Sequence, residues 1–225
     1  QRPVLFLGNG ISKNDVSRKN VQALIDRLQI PVVTTLLAKD LLPFDSEYNF
    51  GMLGYAYGHR YANLIINLKA DLIIALGARL CPRQTGNRPA EFAKDAQIIR
   101  IDIDKEELNR TIHPDDIAYC ADADAVIAEM LKSDYTANWE KWLGICNQIK
   151  HLLNTVDTGK DYRKPNEVIR IIGNTLPEEC TVACDVGQHQ MWVAQSFENK
   201  KDQHMLFSGA HGAMGFALPA AIGAY

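Results

Sequence analysis

No C-x-x-C pair occurs in this chain. Cys81, Cys120, Cys146, Cys180 and Cys184 stand singly, which argues against a disulfide framework or zinc ligation and fits a reducing cytoplasm. Long apolar runs are missing too: the apolar stretches are strand-sized and broken by charge or glycine, well short of the roughly 20 residues that span a bilayer. No signal peptide is expected ahead of the first strand. There is no broad basic field, because 24 Lys and Arg are interspersed with 27 Asp and Glu for a formal charge of −3. Nucleic acid and membranes are therefore excluded as main partners, while small anionic ligands stay open. Internal repeats and low-complexity tracts are also absent. What is present is a globular composition, 47% apolar and 23% charged over 225 residues, enough for one large domain or an ordinary domain with part of a second.

Short β-branched or leucine-rich runs alternate with longer helical patterns, which predicts an α/β fold with a doubly wound parallel sheet. The strands are expected at Val4 to Leu7, Pro31 to Thr35, Leu72 to Leu76, Ile98 to Ile103 and Ile117 to Cys120. Their near-continuous apolar character predicts burial on both faces. Val16, Leu24, Ile25 and Leu28 fall at helical spacing, as do Tyr61, Leu64, Ile65 and Leu68. Glu106 to Arg110 and Ala123 to Leu131 are read as further helices, so residues 1–132 form a Rossmann-like domain. Residues 133–164 read as a connector: a helix with Trp139, Trp142, Ile145, Ile149 and Leu152 on one face, then an exposed loop from Asn154 to Lys164. Residues 165–225 begin a second βα pattern, with a helix over Val168 to Leu176, strands at Thr181 to Cys184 and Met205 to Phe207, and a helix around Met191 to Phe197. Two strands cannot bury both faces of a parallel sheet, so this second α/β domain is expected to be incomplete.

Five segments could carry chemistry. Leu7-Gly8-Asn9-Gly10-Ile11 ends the first strand with the backbone freedom a tight turn or a close ligand needs, but Lys13 stands where a dinucleotide fingerprint has its third glycine. Gly77-Ala78-Arg79 with Arg83 ends the third expected strand, where two arginines hold a diphosphate or pair with local carboxylates. Asp102 could accept from ribose hydroxyls, whereas Asp104 and Asp122 read equally as helix caps. Asp185-Val186-Gly187-Gln188-His189-Gln190-Met191-Trp192 puts a glycine turn and side-chain donors at a helix start, an anion cradle in outline. Ser208 to Ala224 is rich in glycine and alanine, which suits close approach to a ligand or tight helix packing.

The last two segments, with the runs G-Q-H-Q-M-W and M-G-F-A-L-P-A-A-I-G-A, resemble the opening of the diphosphate-binding domain of acetolactate synthases and related thiamine-diphosphate enzymes. The order of elements in residues 1–131 resembles that family's middle domain. The resemblance implies thiamine diphosphate against Val186, Gly187, Gln188 and His189, with Gly212 and Met214 seating its aminopyrimidine and Met214 holding the cofactor bent. It implies decarboxylation of pyruvate and transfer of the resulting unit to a second 2-keto acid, Mg2+ as the metal, and a homo-oligomer, at least a dimer. It assigns no catalytic or metal-ligating residue within the 225. The family's G-D-G metal motif is expected after Tyr225 and the glutamate that activates the aminopyrimidine before Gln1, so the 225 residues alone are expected to be catalytically silent.

The resemblance also implies FAD in the middle domain, at Gly8, Gly10, Thr35, Leu36, Leu53, Gly54, Gly77, Ala78, Arg79, Arg83, Asp102, Ile103 and Asp122. Here the chain departs from the family pattern: Asn9 replaces a glycine, Ala56 a histidine, Cys81 and Pro82 two aspartates, and Ala121 a glycine. FAD, another nucleotide and an empty cleft therefore stay open. The alternatives to an enzyme are a nucleotide-binding or electron-transfer module, or an assembly domain; a decarboxylase or lyase acting on another keto acid is the alternative within the family.

Overall fold

The computed structural model describes residues 1–55, 57–154 and 164–225. Ala56 lies outside the described residues, as does the expected loop between Asn154 and Lys164.

The chain opens with β1 (Pro3–Leu7), buried along its whole length. α1 (Asp15–Leu28) follows, its first turn capped by the Asn14 side chain accepting from Ser17 N and its end closed by Gln29 at φ 51. The first unit continues through β2 (Val32–Thr34), β3 (Asn49–Met52), α2 (Arg60–Leu64), β4 (Leu72–Leu76), α3 (Pro82–Thr85), β5 (Gln97–Asp102), α4 (Lys105–Asn109), β6 (Ile117–Cys120), α5 (Ala123–Met130) and α6 (Glu140–Leu153). Its six strands are all parallel, in the order β3-β2-β1-β4-β5-β6. The winding reverses between β1 and β4, which opens a crevice at the carboxyl ends of those strands.

Alternation along each strand builds a core on both faces. Val4, Phe6, Ile73, Ala75 and Ile98 pack with Tyr61, Ile65, Trp142 and Cys146 on one side. Leu5, Leu7, Val32, Leu76 and Ile101 pack with Val21, Leu24, Ile25 and Ile127 on the other. The doubly wound sheet expected from the sequence is thus the observed one.

The faces of three helices differ from their expected composition. Val16 in α1 is exposed, and Val21 takes its place in the core. α2 runs into a π turn over Ile65–Lys69, closed by Ala70 N donating to Ile65 O at 2.8 Å. The wider turn rotates Leu68 outward, to 63% exposure, and brings Ile66 inward. In α6 the buried stripe is Trp142 and Cys146, with Leu143, Ile149 and Leu153 beside them, while Ile145 and Leu152 sit outside it. α6 packs on the first unit: Trp142 Nε1 donates to Pro3 O at 2.8 Å and Lys150 Nζ to Asn49 O at 2.8 Å.

Two strand expectations also change. β5 stops at Asp102, leaving Ile103 outside the sheet and 71% exposed. β3 has no sequence signature, since Asn49 and Gly51 disfavour strands and its pairing with β2 is irregular; the neighbouring edge imposes its extended form.

The second unit comprises α7 (Pro165–Thr175), β7 (Cys180–Cys184), α8 (Gln188–Ser196), β8 (Gln203–Phe207) and α9 (Ala217–Ala224). β7 and β8 form a separate two-stranded parallel sheet. Phe197, Met205 and Phe207 form its small core, against which Leu36 and Leu37 of the first unit also pack. The Asp40 carboxylate, 1% exposed, accepts from Lys13 Nζ at 2.5 Å, Arg18 Nη2 at 3.1 Å and Met205 N at 3.1 Å, which ties α1 to β8. Asn199 Nδ2 donates to Leu42 O and His59 Nε2 to Gln195 O, at 2.9 and 3.2 Å.

Candidate functional site

Two places collect the residues singled out above. The first is the crevice at the carboxyl ends of β1, β2, β4 and β5, a cleft of about 450 Å³. Its floor is two crossing backbone turns. Gly10 N donates to Gly77 O at 2.9 Å, and a Cβ on Gly8 would lie 2.0 Å from that same oxygen. Gly77 itself holds φ +58. These glycines are required by contact between the turns, so they need no ligand to explain them.

Gly10, Gly77, Thr35, Leu36, Leu53 and Gly54 line the cleft, as do Arg79, Arg83 and Asp102. Gly8 and Ala78 are buried beneath it. Ile103 points away into solvent, and Asp122 caps α5 by accepting from Ala125 N at 2.9 Å. Asp104 is also a cap, accepting from Glu106 N, yet it belongs to the lining as well. Tyr57 and Glu107 join the wall without any motif of their own, and Gly209 and Ala210 join it from the small-residue segment that the sequence groups with the other site. Gly209 and Ala210 arrive from the loop after β8, where Gly209 packs on Leu37 and its carbonyl accepts from Arg83 Nη1 at 3.4 Å. Thr35 Oγ1 is buried with no hydrogen-bond partner among the described residues. A buried hydroxyl left unsatisfied in a cleft wall fits a polar occupant.

The second place is the turn after β7. Asp185 Oδ1 accepts from Val186 N at 2.7 Å and Gly215 N at 3.1 Å, and Oδ2 accepts from Ala217 N at 3.2 Å. These N–H groups, Val186 first and Ala217 next, hold the carboxyl below the usual carboxylate range. One side chain thereby joins the diphosphate-turn motif to the start of the glycine- and alanine-rich helix. Gly212 faces Val186, its virtual Cβ 3.8 Å from Val186 Cγ1. Gly187 holds φ +158, which favours glycine, and a Cβ there would come 2.8 Å from the His189 ring, which would have to turn aside. No side chain caps α8, whose first turn carries Gln188 and His189. An uncapped helix start with a glycine before it suits a phosphate group.

Val186, Gly187, Gln188, His189 and Gly212 are therefore brought together. Met214, on the same loop, is 86% exposed and points to solvent. Asp185 was visible in the motif, but its role was not, because its partners lie some thirty residues on. Among the described residues no group of three His, Cys, Asp or Glu side chains is placed to hold a metal, and no helix is long and apolar enough to cross a membrane.

Comparison with known proteins assigns both places to one family. Residues 1–130 match the thiamine pyrophosphate enzyme central domain, and residues 185–225 match the thiamine pyrophosphate enzyme C-terminal TPP binding domain. The chain is 36% identical over 226 residues to an acetolactate synthase large subunit of Lactococcus lactis and 38% identical over 229 residues to one of Pyropia yezoensis. It is 34% identical over 227 residues to the acetolactate synthase isozyme 1 large subunit of Escherichia coli. These matches take in 99 to 100% of this chain and 38 to 39% of each relative. The chain thus spans about 38% of the length of the curated relatives it matches.

Proposed function

The chain belongs to the thiamine pyrophosphate enzyme family, and from that premise we propose that it is the cofactor-holding portion of an enzyme resembling acetolactate synthase. The reaction we assign is decarboxylation of pyruvate with transfer of the remaining two-carbon unit to a second 2-keto acid. Thiamine diphosphate, when bound, supplies the carbon nucleophile and electron sink that this chemistry needs. The observation that carries the reading is the Asp185 carboxylate, which fixes Val186 against the Gly212 to Ala217 stretch.

In this reading the start of α8, with Gly187, Gln188 and His189, receives the diphosphate. Val186 and Gly212 face each other beside it. A homo-oligomer of at least two chains is what the resemblance implies for the longer protein. The cleft in the first unit is assigned to a nucleotide, with FAD the occupant that the resemblance implies. Arg79 and Arg83 suit its diphosphate, Asp102 a ribose hydroxyl, and the Leu36 and Leu53 wall a flat ring. Magnesium and the activating glutamate are assigned to sequence outside the 225 residues. The free cysteines suit a reducing cytoplasm.

The test uses the full-length protein with thiamine diphosphate, Mg2+ and pyruvate. Acetolactate formation is expected, and Asp185→Asn is expected to weaken thiamine diphosphate binding about tenfold, because an amide nitrogen then faces backbone N–H donors. Unchanged affinity in a folded Asp185→Asn protein would overturn the role given to the clamp. Pyruvate turnover by the isolated 225 residues would overturn the placement of the metal and glutamate outside them.

A further inference from the structure

The lining of the first-unit cleft carries two arginines, Arg79 and Arg83, against three carboxylates, Asp102, Asp104 and Glu107. A cleft so balanced repels a diphosphate unless its own acids are engaged or displaced. Asp102 and Asp104 are engaged locally, accepting from Asp104 N and Glu106 N at 2.9 Å each. Glu107 instead holds the cation a ligand would need: its Oε1 lies 2.6 Å from Arg79 Nε.

That placement is anchored from behind. The buried Arg100 donates from Nη2 to Glu107 O at 2.8 Å and from Nη1 to Arg110 O at 2.7 Å. Arg110 Nη2 donates in turn to Arg79 O at 2.6 Å and Leu80 O at 3.0 Å, and stands 3.7 Å from Glu107 Oε2. α4 and the strap after β4 are bolted together, so little conformational freedom is lost in keeping the Glu107 carboxylate on Arg79.

We propose that Glu107 is a specificity-determining residue of the cleft, an internal anion that competes with the diphosphate of an adenine nucleotide for Arg79. The inference rests on the nucleotide reading of the cleft and deepens it. A bare phosphate or diphosphate meets an arginine already paired and gains little. A whole nucleotide draws on further contacts, its ribose at Asp102 and its apolar ring along the Leu36 and Leu53 wall, and can displace the carboxylate.

The test is calorimetric titration of the full-length protein with adenosine diphosphate, adenosine and FAD. Glu107→Gln keeps the shape and removes the charge. It is expected to bind adenosine diphosphate about tenfold more tightly than the unsubstituted protein and to leave adenosine unchanged. In an Arg79→Gln background the same change is expected to tighten adenosine diphosphate binding by a clearly smaller factor, because only the general repulsion is left to relieve. Should Glu107→Gln melt early, Glu107→Asp, which withdraws the carboxylate from Arg79 by one methylene, is expected to tighten adenosine diphosphate binding by a smaller factor. Adenosine diphosphate affinity that is unchanged or lower, or a shift shared equally by adenosine, would show a structural role and overturn the proposal. If no variant and not the parent binds any of the three probes, the nucleotide reading of the cleft fails and the proposal falls with it. That outcome is distinct from a parent that binds and a variant that does not differ.

Discussion

His59 joins the two units through a single imidazole: Nδ1 accepts from Met52 N at 3.1 Å and Nε2 donates to Gln195 O at 3.2 Å. Burial, with Lys39 adding to it, lowers its pKa from 6.5 to about 3, so the ring is neutral in the fold. As pH falls from about 6.5 towards about 3, the unfolded chain takes up a proton that the folded chain refuses, and stability is lost across that window. One such proton gives a slope of up to about 1.4 kcal/mol per pH unit. His59→Gln is expected to remove that increment from the acid limb of a urea-unfolding series between pH 7 and pH 4. Parallel pH slopes for the two proteins would refute the assignment. At this scale the sequence shows which residues are chemically capable, such as His59 and Asp185, but their partners come from other elements. Asp185 reads as one letter of a motif until Gly215 and Ala217 are folded against it.

The elements were legible where pattern and packing agree. β4 falls at the residues expected, because an apolar run between helices in a buried parallel sheet has few other placements; β6 falls at its expected residues too, but as an edge strand whose Ala118 to Cys120 are exposed rather than buried on both faces. α2 and α6 show the limit. Spacing at 3.6 residues places Leu68 on the buried face of α2, and only the π turn closed by Ala70 removes it. In α6 the small apolar Cys146 occupies the centre of the stripe, a role that a count of large side chains overlooks. Trp142 next to it anchors α6 to the first strand by both packing and its Nε1 bond to Pro3 O. Trp142→Ala is expected to cost about 3–5 kcal/mol, and Trp142→Phe, which keeps most of the volume, about 1–2 kcal/mol. Guanidinium unfolding of both variants checks the order; equal losses would mean that the hydrogen bond, not the volume, anchors the helix.

For the whole molecule the decisive contact is Asp40. Its buried carboxylate takes Lys13 and Arg18 from the first unit and Met205 N from the second. Asp40→Asn leaves two cations without their anion and presents an amide to Met205 N. A loss of about 3 kcal/mol is expected, concentrated at the seam between the units. Hydrogen exchange is expected to rise first along β8 and in the Ser208 to Phe216 loop, with β1 and β4 still protected. Uniform loss of protection across both sheets would contradict that division. The same loop lines the first-unit cleft at Gly209 and adjoins the diphosphate turn at Gly212, so the clasp at Asp40 also sets how the two candidate sites face each other. By itself the sequence determined the α/β class, five of the six strands of the first sheet, and the turn and small-residue motifs that mark the family, since each depends on residue type and short-range periodicity. Only the tertiary structure decided that Gly8 and Gly10 serve the backbone of Gly77, that Glu107 sits on Arg79, and that Asp185 gathers two distant segments. Such pairings depend on long-range closure of the chain, which no local pattern encodes.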